Sequence, residues 1–404
     1  MRPLTILALN NHAVARGGAD RYFLDLTALL RERGHRVFTL SATLDPDLIP
    51  RTRDDHVIAG IDTSNPSVAD TTRFFHNPGA ARVVDKILKN RRIDVSHLHI
   101  HYGQLTPSIF GPLKRAGVPI VQTVHEYRLS CPISTHTRDG KPCHECTGKR
   151  WRGVLVHRCN RGSLLRSLAT GVEYGFSRWR GTVRNVDRFI TVSHHLERHL
   201  IATGIPASRV RTVHNFTDPA SAEPADARGS YFLYFGRLER IKGLFTLLKA
   251  SSGLPEIPLL IAGRGEAETA LRALVDRSGW NHVRFLGFLN GPPLREVIRG
   301  SIGSILPSEW PETFGLTLLE TFAHARPVIG SHIGGIPEVI SGGENGFLVE
   351  PGNVDQLRAR MALLAANPDR ALEMGRAGRR TVEEFFGPER HYRQILDVYR
   401  EMIR

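Results

Sequence analysis

Two carboxylates, Glu312 and Glu320, stand eight residues apart in the segment 307–340, PSEWPETFGLTLLETFAHARPVIGSHIGGIPEVI. The first falls in a loop after the apolar run Ile302–Leu306, and the second on a helix that Phe314 and Gly315 open. Such a spacing presents backbone N–H groups to a phosphate and carboxylates to hydroxyl pairs. A helix start attracts anions because its first N–H groups lack intrahelical acceptors. A carboxylate accepts two hydrogen bonds at once, which suits a vicinal diol. Phosphate and diol together describe a nucleotide-sugar. Earlier in the same half, YFGRLERIKG places Arg237 and Lys242 in one short loop after a strand. A guanidinium fork and an ammonium point charge on one side of a diphosphate would stabilise the charge that develops as it leaves.

Three further groups belong to the first half. His125 directly follows the predicted strand Pro119–Val124 in QTVHEYRLSCP. The carboxyl end of a parallel strand opens on the ligand crevice, so its imidazole is placed to meet a sugar hydroxyl. Glu126 beside it is expected to face away. Gly17 and Gly18 lie between the first strand and the first helix. They permit close backbone approach or positive φ, and a plain tight turn fits them equally. They do not match GxGxxG, which argues against a nicotinamide enzyme. AGRGE at 262–266 follows a strand where it can line the nucleotide pocket, and Gly334-Gly335 precede a short helix opened by Pro337; simple turn chemistry accounts for either equally well.

Alternating apolar strands and amphipathic helices must position these groups. Strands are expected at Leu4–Leu9, Val37–Ser41, Val95–Ile100, Pro119–Val124, Arg188–Val192 and Val210–His214. After a break the rhythm restarts at Tyr231–Phe235 and continues through Gly346–Val349. This alternation predicts an α/β fold with parallel sheets wrapped by helices. The 404 residues suffice for two domains with separate cores. The first spans 1–216; the unpatterned stretch TDPASAEPADARG at 217–229 reads as a linker; the second spans 230–386; a last helix at 387–404 follows Gly387-Pro388. Two doubly wound, Rossmann-like domains facing across a cleft would hold the substrates between their strand ends.

Charge is unevenly spread. Residues 1–220 carry the whole net charge of +14, and residues 221–404 are neutral overall. The segment 127–184 alone holds 12 basic and 3 acidic residues, a net of +9. A local basic surface favours an anionic partner such as a phospholipid face, a lipid diphosphate or an anionic glycan. A solvated arginine-rich surface is the plainer alternative. Nucleic acid is not expected, because the cations are not interleaved with stacking aromatics. All four cysteines, Cys131, Cys143, Cys146 and Cys159, fall in this segment. A structural zinc, reduced or redox-labile thiols and an iron–sulfur cluster all fit one CxxC with two outlying thiols; His144 and His157 could also ligate. No run of eighteen apolar residues occurs and the start reads as a buried strand, so the expected compartment is the cytoplasm, with peripheral attachment to the inner membrane face an option.

With these residues in hand, the chain resembles the retaining GT-B glycosyltransferases of family 4 over nearly its whole length. The resemblance rests on Glu312 and Glu320 as E-x7-E, on Gly334, Gly335, Pro337 and Glu338 as GG-x-PE, on GRLERIKG, and on Gly17-Gly18. It implies that Glu312 contacts the donor sugar and Glu320 the ribose. Arg237 and Lys242 would hold the diphosphate of a UDP- or GDP-sugar with backbone N–H groups near Phe314 and Gly315. His125 would lie against the transferred sugar, Gly17 and Gly18 would let the first loop approach the donor, and the last helix would cross back to the first domain. It also implies catalysis without a bound divalent metal, retention by front-side attack, and a glycan or lipid-linked acceptor. The cysteine insertion resembles a subset associated with bacterial surface polysaccharide and glycolipid assembly. Trp310, Pro311 and Thr313 depart from the smaller residues of many relatives, a difference expected to act on sugar choice. A nucleotide-sugar epimerase and a non-catalytic nucleotide-sugar-binding protein are the alternatives.

Overall fold

A computed structural model describes residues 2–45, 52–62, 67–138, 141–146 and 151–403. Lys149 and Arg150 of the basic segment lie outside the described residues. The strands, in chain order, are β1 (Thr5–His12), β2 (Arg36–Thr43), β3 (Asp55–Ala59), β4 (Val95–Leu98), β5 (Ile120–Val124), β6 (Thr137–Arg138), β7 (Lys141–Pro142), β8 (Arg188–Thr191) and β9 (Val210–Thr212) in the first half. The second half has β10 (Phe232–Phe235), β11 (Leu259–Ala262), β12 (Val283–Gly287), β13 (Gly303–Leu306), β14 (Val328–Ser331) and β15 (Gly346–Val349).

Two parallel sheets result. The first runs β3-β2-β1-β4-β5-β8-β9 and the second β12-β11-β10-β13-β14-β15, while β6 and β7 form a small antiparallel pair. The central strands β4, β5, β10 and β13 are buried throughout, as strands covered by helices on both faces must be. In each sheet the winding reverses once: between β1 and β4, paired Ile6 to Val95, and between β10 and β13, paired Phe232 to Gly303. A crevice opens beyond the carboxyl ends at such a reversal. The loops there are those after β1 (Gly17), β4 (His99), β10 (Arg237 to Lys242) and β13 (Glu312).

The stretch 217–229 is tied to the second lobe by the half-buried Arg379 and the buried Arg326. Arg379 donates to the carbonyls of Ala222 and Pro219, and Arg326 to that of Ala227. The helix Pro388–Ile403 then packs Ile395, Leu396, Val398 and Tyr399 against Leu4, Ile6 and Val37 of the first sheet. Its Tyr399 hydroxyl lies 2.6 Å from Nδ1 of His97 on β4, and its His391 lies 3.1 Å from the Tyr22 hydroxyl. The lobes also share apolar packing near the cleft, where Trp310 and Phe314 join the cluster that contains Leu98 and Tyr127.

Candidate active site

Glycine makes the second lobe's site possible. Gly243 closes the loop after β10 in the left-handed region, φ +70°, where a Cβ would stand 1.8 Å from the Pro307 carbonyl oxygen. Only a residue without Cβ lets that loop lie on the end of β13. The Glu309 amide donates to the Ile241 carbonyl across the same seam at 2.9 Å. Lys242 is thereby delivered to Glu312, with Nζ 2.7 Å from Oε1, and the side chains are only 12% and 8% exposed. Ser308 donates to the same carboxylate oxygen at 2.5 Å. The Trp310 ring lies under the ammonium, 4.9 Å from Nζ. Gly334, at φ +64°, supports the other side: a Cβ there would meet the Glu312 carbonyl oxygen at 2.3 Å, and the Gly335 amide donates to that oxygen at 2.8 Å. The glycine pair left open in sequence is thus the brace of the Glu312 backbone. AGRGE likewise packs beneath the loop after β10, with the Arg264 carbonyl accepting from the Leu238 amide.

The other sequence-selected groups are placed less tightly. Arg237 is 58% exposed and turned to Glu239 at 2.7 Å. Its charge acts on the buried Tyr234 hydroxyl, as do Glu312 and Glu239, so Arg237 and the Lys242–Glu312 pair share one neighbourhood. Glu320 stands apart on the helix Leu316–Ala323, which Gly315 caps. Burial pushes its carboxyl up to about 7, and the charges acting on it are Arg21 and Asp25 of the helix Gly18–Glu32. It therefore faces the first lobe. The four charged groups do not form one contact cluster; Lys242 and Glu312 touch, and Arg237 and Glu320 flank them.

Gly17 has extended backbone, φ −166°, so positive φ is not what glycine supplies there. A Cβ on it would meet nothing within 4 Å, whereas one on Gly18 would press on Leu316 Cδ1 at 3.2 Å. Gly18 thus admits the second lobe's helix, and Gly17 borders open space. His125 is half-buried, with Nε2 3.2 Å from Nδ1 of His99 and its ring edge-on to Tyr22. Burial holds its pKa down to about 3, so it is a neutral hydrogen-bonding group at neutral pH. Glu126 corrects the expectation that it faces away. Burial raises its pKa, and Arg128, Arg237 and Asp20 all act on it, which places it in the space between the lobes.

Several residues to which the sequence assigned no interlobe role join the lobes. The Tyr127 hydroxyl donates to the Pro311 carbonyl at 2.8 Å, Thr313 to the His125 carbonyl at 2.9 Å, and Trp310 Nε1 to the Thr135 carbonyl. Trp310 and Thr313 are therefore struts across the cleft. Glu338 accepts from the His194 and His195 amides at 2.8 and 2.6 Å, capping a first-lobe helix from the second lobe. The GG-x-PE spacing was the available signal for Glu338; WPETFG drew attention to Trp310 and Thr313 but pointed to sugar choice, and Tyr127 carried no signal.

The four cysteines are free thiols, Cys131 and Cys146 buried and the others half-buried. They share a neighbourhood: burial, then Cys131, Cys159 and Cys143, push the Cys146 thiol up to about 12. Among the described residues no group of three or more His, Cys, Asp or Glu side chains is arranged to hold a metal ion.

A cation–carboxylate pair on the sheet's carboxyl edge, faced by a neutral imidazole and a glycine loop, can bind an anionic leaving group and orient hydroxyls. Comparison with known proteins agrees. Residues 16–221 match the model of Glycosyltransferase Family 4, and residues 219–381 that of Glycosyl transferases group 1.

The chain belongs to glycosyltransferase family 4.

Family relatives include alpha-maltose-1-phosphate synthase of Mycolicibacterium smegmatis, 30% identical over 269 residues, covering 57% of this chain and 68% of that one. The phosphatidyl-myo-inositol mannosyltransferase of the same organism is 26% identical over 370 residues, covering 90% and 84%. Among solved structures, sucrose-phosphate synthase of Thermosynechococcus elongatus superimposes with a TM-score of 0.74 at 18% identity, covering 98% of both chains. Anabaena Alr3699/HepE with UDP and glucose gives 0.69 at 18% identity, covering 98% and 99%. At that identity the likeness speaks for the fold, which is GT-B.

Proposed function

We propose that this glycosyltransferase moves a hexose-type sugar from a nucleoside diphosphate donor, a UDP- or GDP-sugar, to a glycan or lipid-linked acceptor at the cytoplasmic face of a membrane, with retention at the anomeric carbon. The buried Lys242–Glu312 contact carries this reading. Lys242 would meet the diphosphate, joined by Arg237 and the N–H groups at Phe314 and Gly315. Glu312 would accept from donor-sugar hydroxyls and Glu320 from the ribose. His125 would lie against the transferred sugar and Gly17 would leave room for it. In the transfer, the bond from the anomeric carbon to the leaving phosphate oxygen breaks and one to the acceptor oxygen forms. The acceptor proton passes to the leaving phosphate, and nucleoside diphosphate departs. Fixed cations at that phosphate lower the barrier without a bound metal. HepE bound to UDP-glucose supports the donor class, and the phosphatidyl-myo-inositol mannosyltransferase supports a lipid-borne acceptor.

A thermal-shift panel of UDP-, GDP-, ADP- and dTDP-sugars tests the reading, since a ligand bound only by the folded state raises Tm. One donor class should stabilise the protein and then be consumed with acceptor to give an α-configured product from an α-donor. Isomerised donor without acceptor would instead identify an epimerase, and binding without turnover a sensor. A structural zinc on Cys131, Cys143, Cys146 and Cys159 is a separate proposal, supported by the shared thiol neighbourhood. Substoichiometric zinc in protein purified without chelator would overturn it.

A further inference from the structure

The helix Leu164–Trp179 is built inside out. Its buried residues are Ser167, Gly171, Glu173, Tyr174 and Ser177. Leu165, Leu168, Val172, Phe176 and Trp179 recur every three or four residues, which places them on one stripe. Four of these five face outward: Leu165 is 76% and Trp179 72% exposed, and Leu168 and Val172 are exposed too, while Phe176 is half-buried against Phe75. A helix that packs on a soluble core turns such a stripe inward. Here the inward face is held by polar bonds. Glu173 is ion-paired with Arg128, and Tyr174 and Arg178 donate to the Leu129 carbonyl at 3.0 and 2.9 Å. Gly171 and Gly175 let the Trp151 ring lie flat beneath. The outward orientation is thus fixed by specific partners, and the apolar stripe is left over.

Charge says what covers it. Between residues 151 and 186 the only carboxylate is Glu173, which is buried, while Arg152, Arg158, Arg161, Arg166, Arg180 and Arg184 are exposed. An apolar stripe with a terminal tryptophan, flanked by these arginines, matches an anionic lipid interface: rings and aliphatic groups enter the headgroup boundary and guanidinium groups meet phosphates. A second copy of this chain is a poorer occupant, because an isologous contact would set the same arginines against one another.

We infer that the helix Leu164–Trp179 is the surface by which the enzyme seats itself on an anionic phospholipid membrane. The inference rests on the reading that the acceptor is lipid-borne, and it supplies the geometry. The helix is bolted to Leu129, four residues from His125, so lipid contact holds the carboxyl end of β5 next to the membrane. An acceptor headgroup would then enter the cleft from the first lobe.

Vesicle flotation of the full chain tests this, with phosphatidylcholine alone and with phosphatidylcholine mixed with phosphatidylglycerol. The wild type should float with the anionic vesicles and be released by salt. Leu165→Ser/Trp179→Ser, at exposed positions, should lower partitioning at least about tenfold, and Arg158→Ser/Arg161→Ser should weaken it and flatten its salt dependence. Donor-induced thermal shifts should be unchanged in both variants. Equal partitioning of the wild type and Leu165→Ser/Trp179→Ser would overturn the inference. So would light scattering that finds a wild-type dimer which this variant dissociates. Loss of donor binding with vesicle binding intact would count against the proposed transfer and leave the membrane surface standing.

Discussion

The two lobes repeat one architecture and place opposite chemistries at its edge. The first sheet ends in uncharged rings: His97, His99 and His125 stack in succession, with centroids 4.4 and 5.5 Å apart. The second ends in an ion pair held by loops too tight for any side chain at Gly243 and Gly334. The net charge is distributed the other way, +14 on residues 1–220 and none on 221–404. The first lobe's excess positive charge is concentrated in the segment 127–184, while the near-neutral second lobe holds a buried ion pair at the edge of its sheet. The ion pair belongs to the second lobe and the basic segment to the first.

The largest expected effect lies in the ion pair. Lys242→Ala should lower kcat/KM at least about 100-fold and, by leaving Glu312 buried without its cation, cost about 3 kcal/mol of stability. His125→Ala, which removes a neutral hydrogen-bonding group, should cost about tenfold in kcat/KM. Steady-state kinetics on both variants checks the contrast, and equal losses would erase it.

Acid should separate the lobes next. Burial holds His97 and His391 near 3, against an ordinary value of 6.5, and His99 is also well below it. The unfolded chain therefore takes up protons first. The stability of these neutral rings is present above pH 6.5 and is lost as pH falls from there toward 3, a loss of several kcal/mol in all. His97 lies between Tyr399 and Thr123, so release of the last helix should accompany the loss. Urea unfolding at a series of pH values, followed by hydrogen exchange, should show the first sheet opening before the second.

The glycines sharpen the comparison by about 2–3 kcal/mol. Gly334→Ala drives a Cβ into the Glu312 carbonyl and should destabilise by that amount. Gly17→Ala meets open space on extended backbone and should change stability by less than about 0.5 kcal/mol, while raising KM for the donor if the sugar lies there. Denaturant midpoints and donor KM values for the pair decide it.

Much of this frame was legible in the chain. The apolar runs located β5, β10 and β13 within a residue and β1 within three, because buried parallel strands are largely apolar and bounded by glycine and proline. E-x7-E and GRLERIKG singled out Lys242 and Glu312. β3 and the helix Pro78–Asn90 were not read, since Asp55–Ala59 is a half-buried edge strand with little apolar contrast. Contacts that depend on how two domains face each other were also hidden. Tyr127 to Pro311 and Trp310 to Thr135 join residues more than 170 positions apart, and no local pattern encodes them. Glu126 was misjudged for that reason. Strand alternation predicts which face of its own sheet a residue takes, and the loop after β5 had already left the sheet.

Glu320 bears on the comparison most finely, because it belongs to the second lobe and answers to the first. Its carboxyl is raised from 4.5 to about 7, chiefly by burial, with Arg21 lowering it and Asp25 raising it. The folded protein keeps this proton up to about pH 7, while the unfolded chain releases it near 4.5. Stability therefore falls as pH rises through that window, and the full cost is present above pH 7. Discounted for the partial exposure of the side chain, Glu320→Gln should stabilise the free protein by about 1 kcal/mol at pH 8 and by nothing at pH 4. A carboxylate that takes up two ribose hydroxyls must be ionised, so the donor should bind the wild type more weakly below pH 7. The glutamine variant should bind it weakly at every pH. Melting curves with and without donor at pH 6 and pH 8 measure both effects. A variant whose donor shift stays as large and as pH-dependent as the wild type's would remove Glu320 from the nucleotide site and leave it an interlobe contact to Arg21.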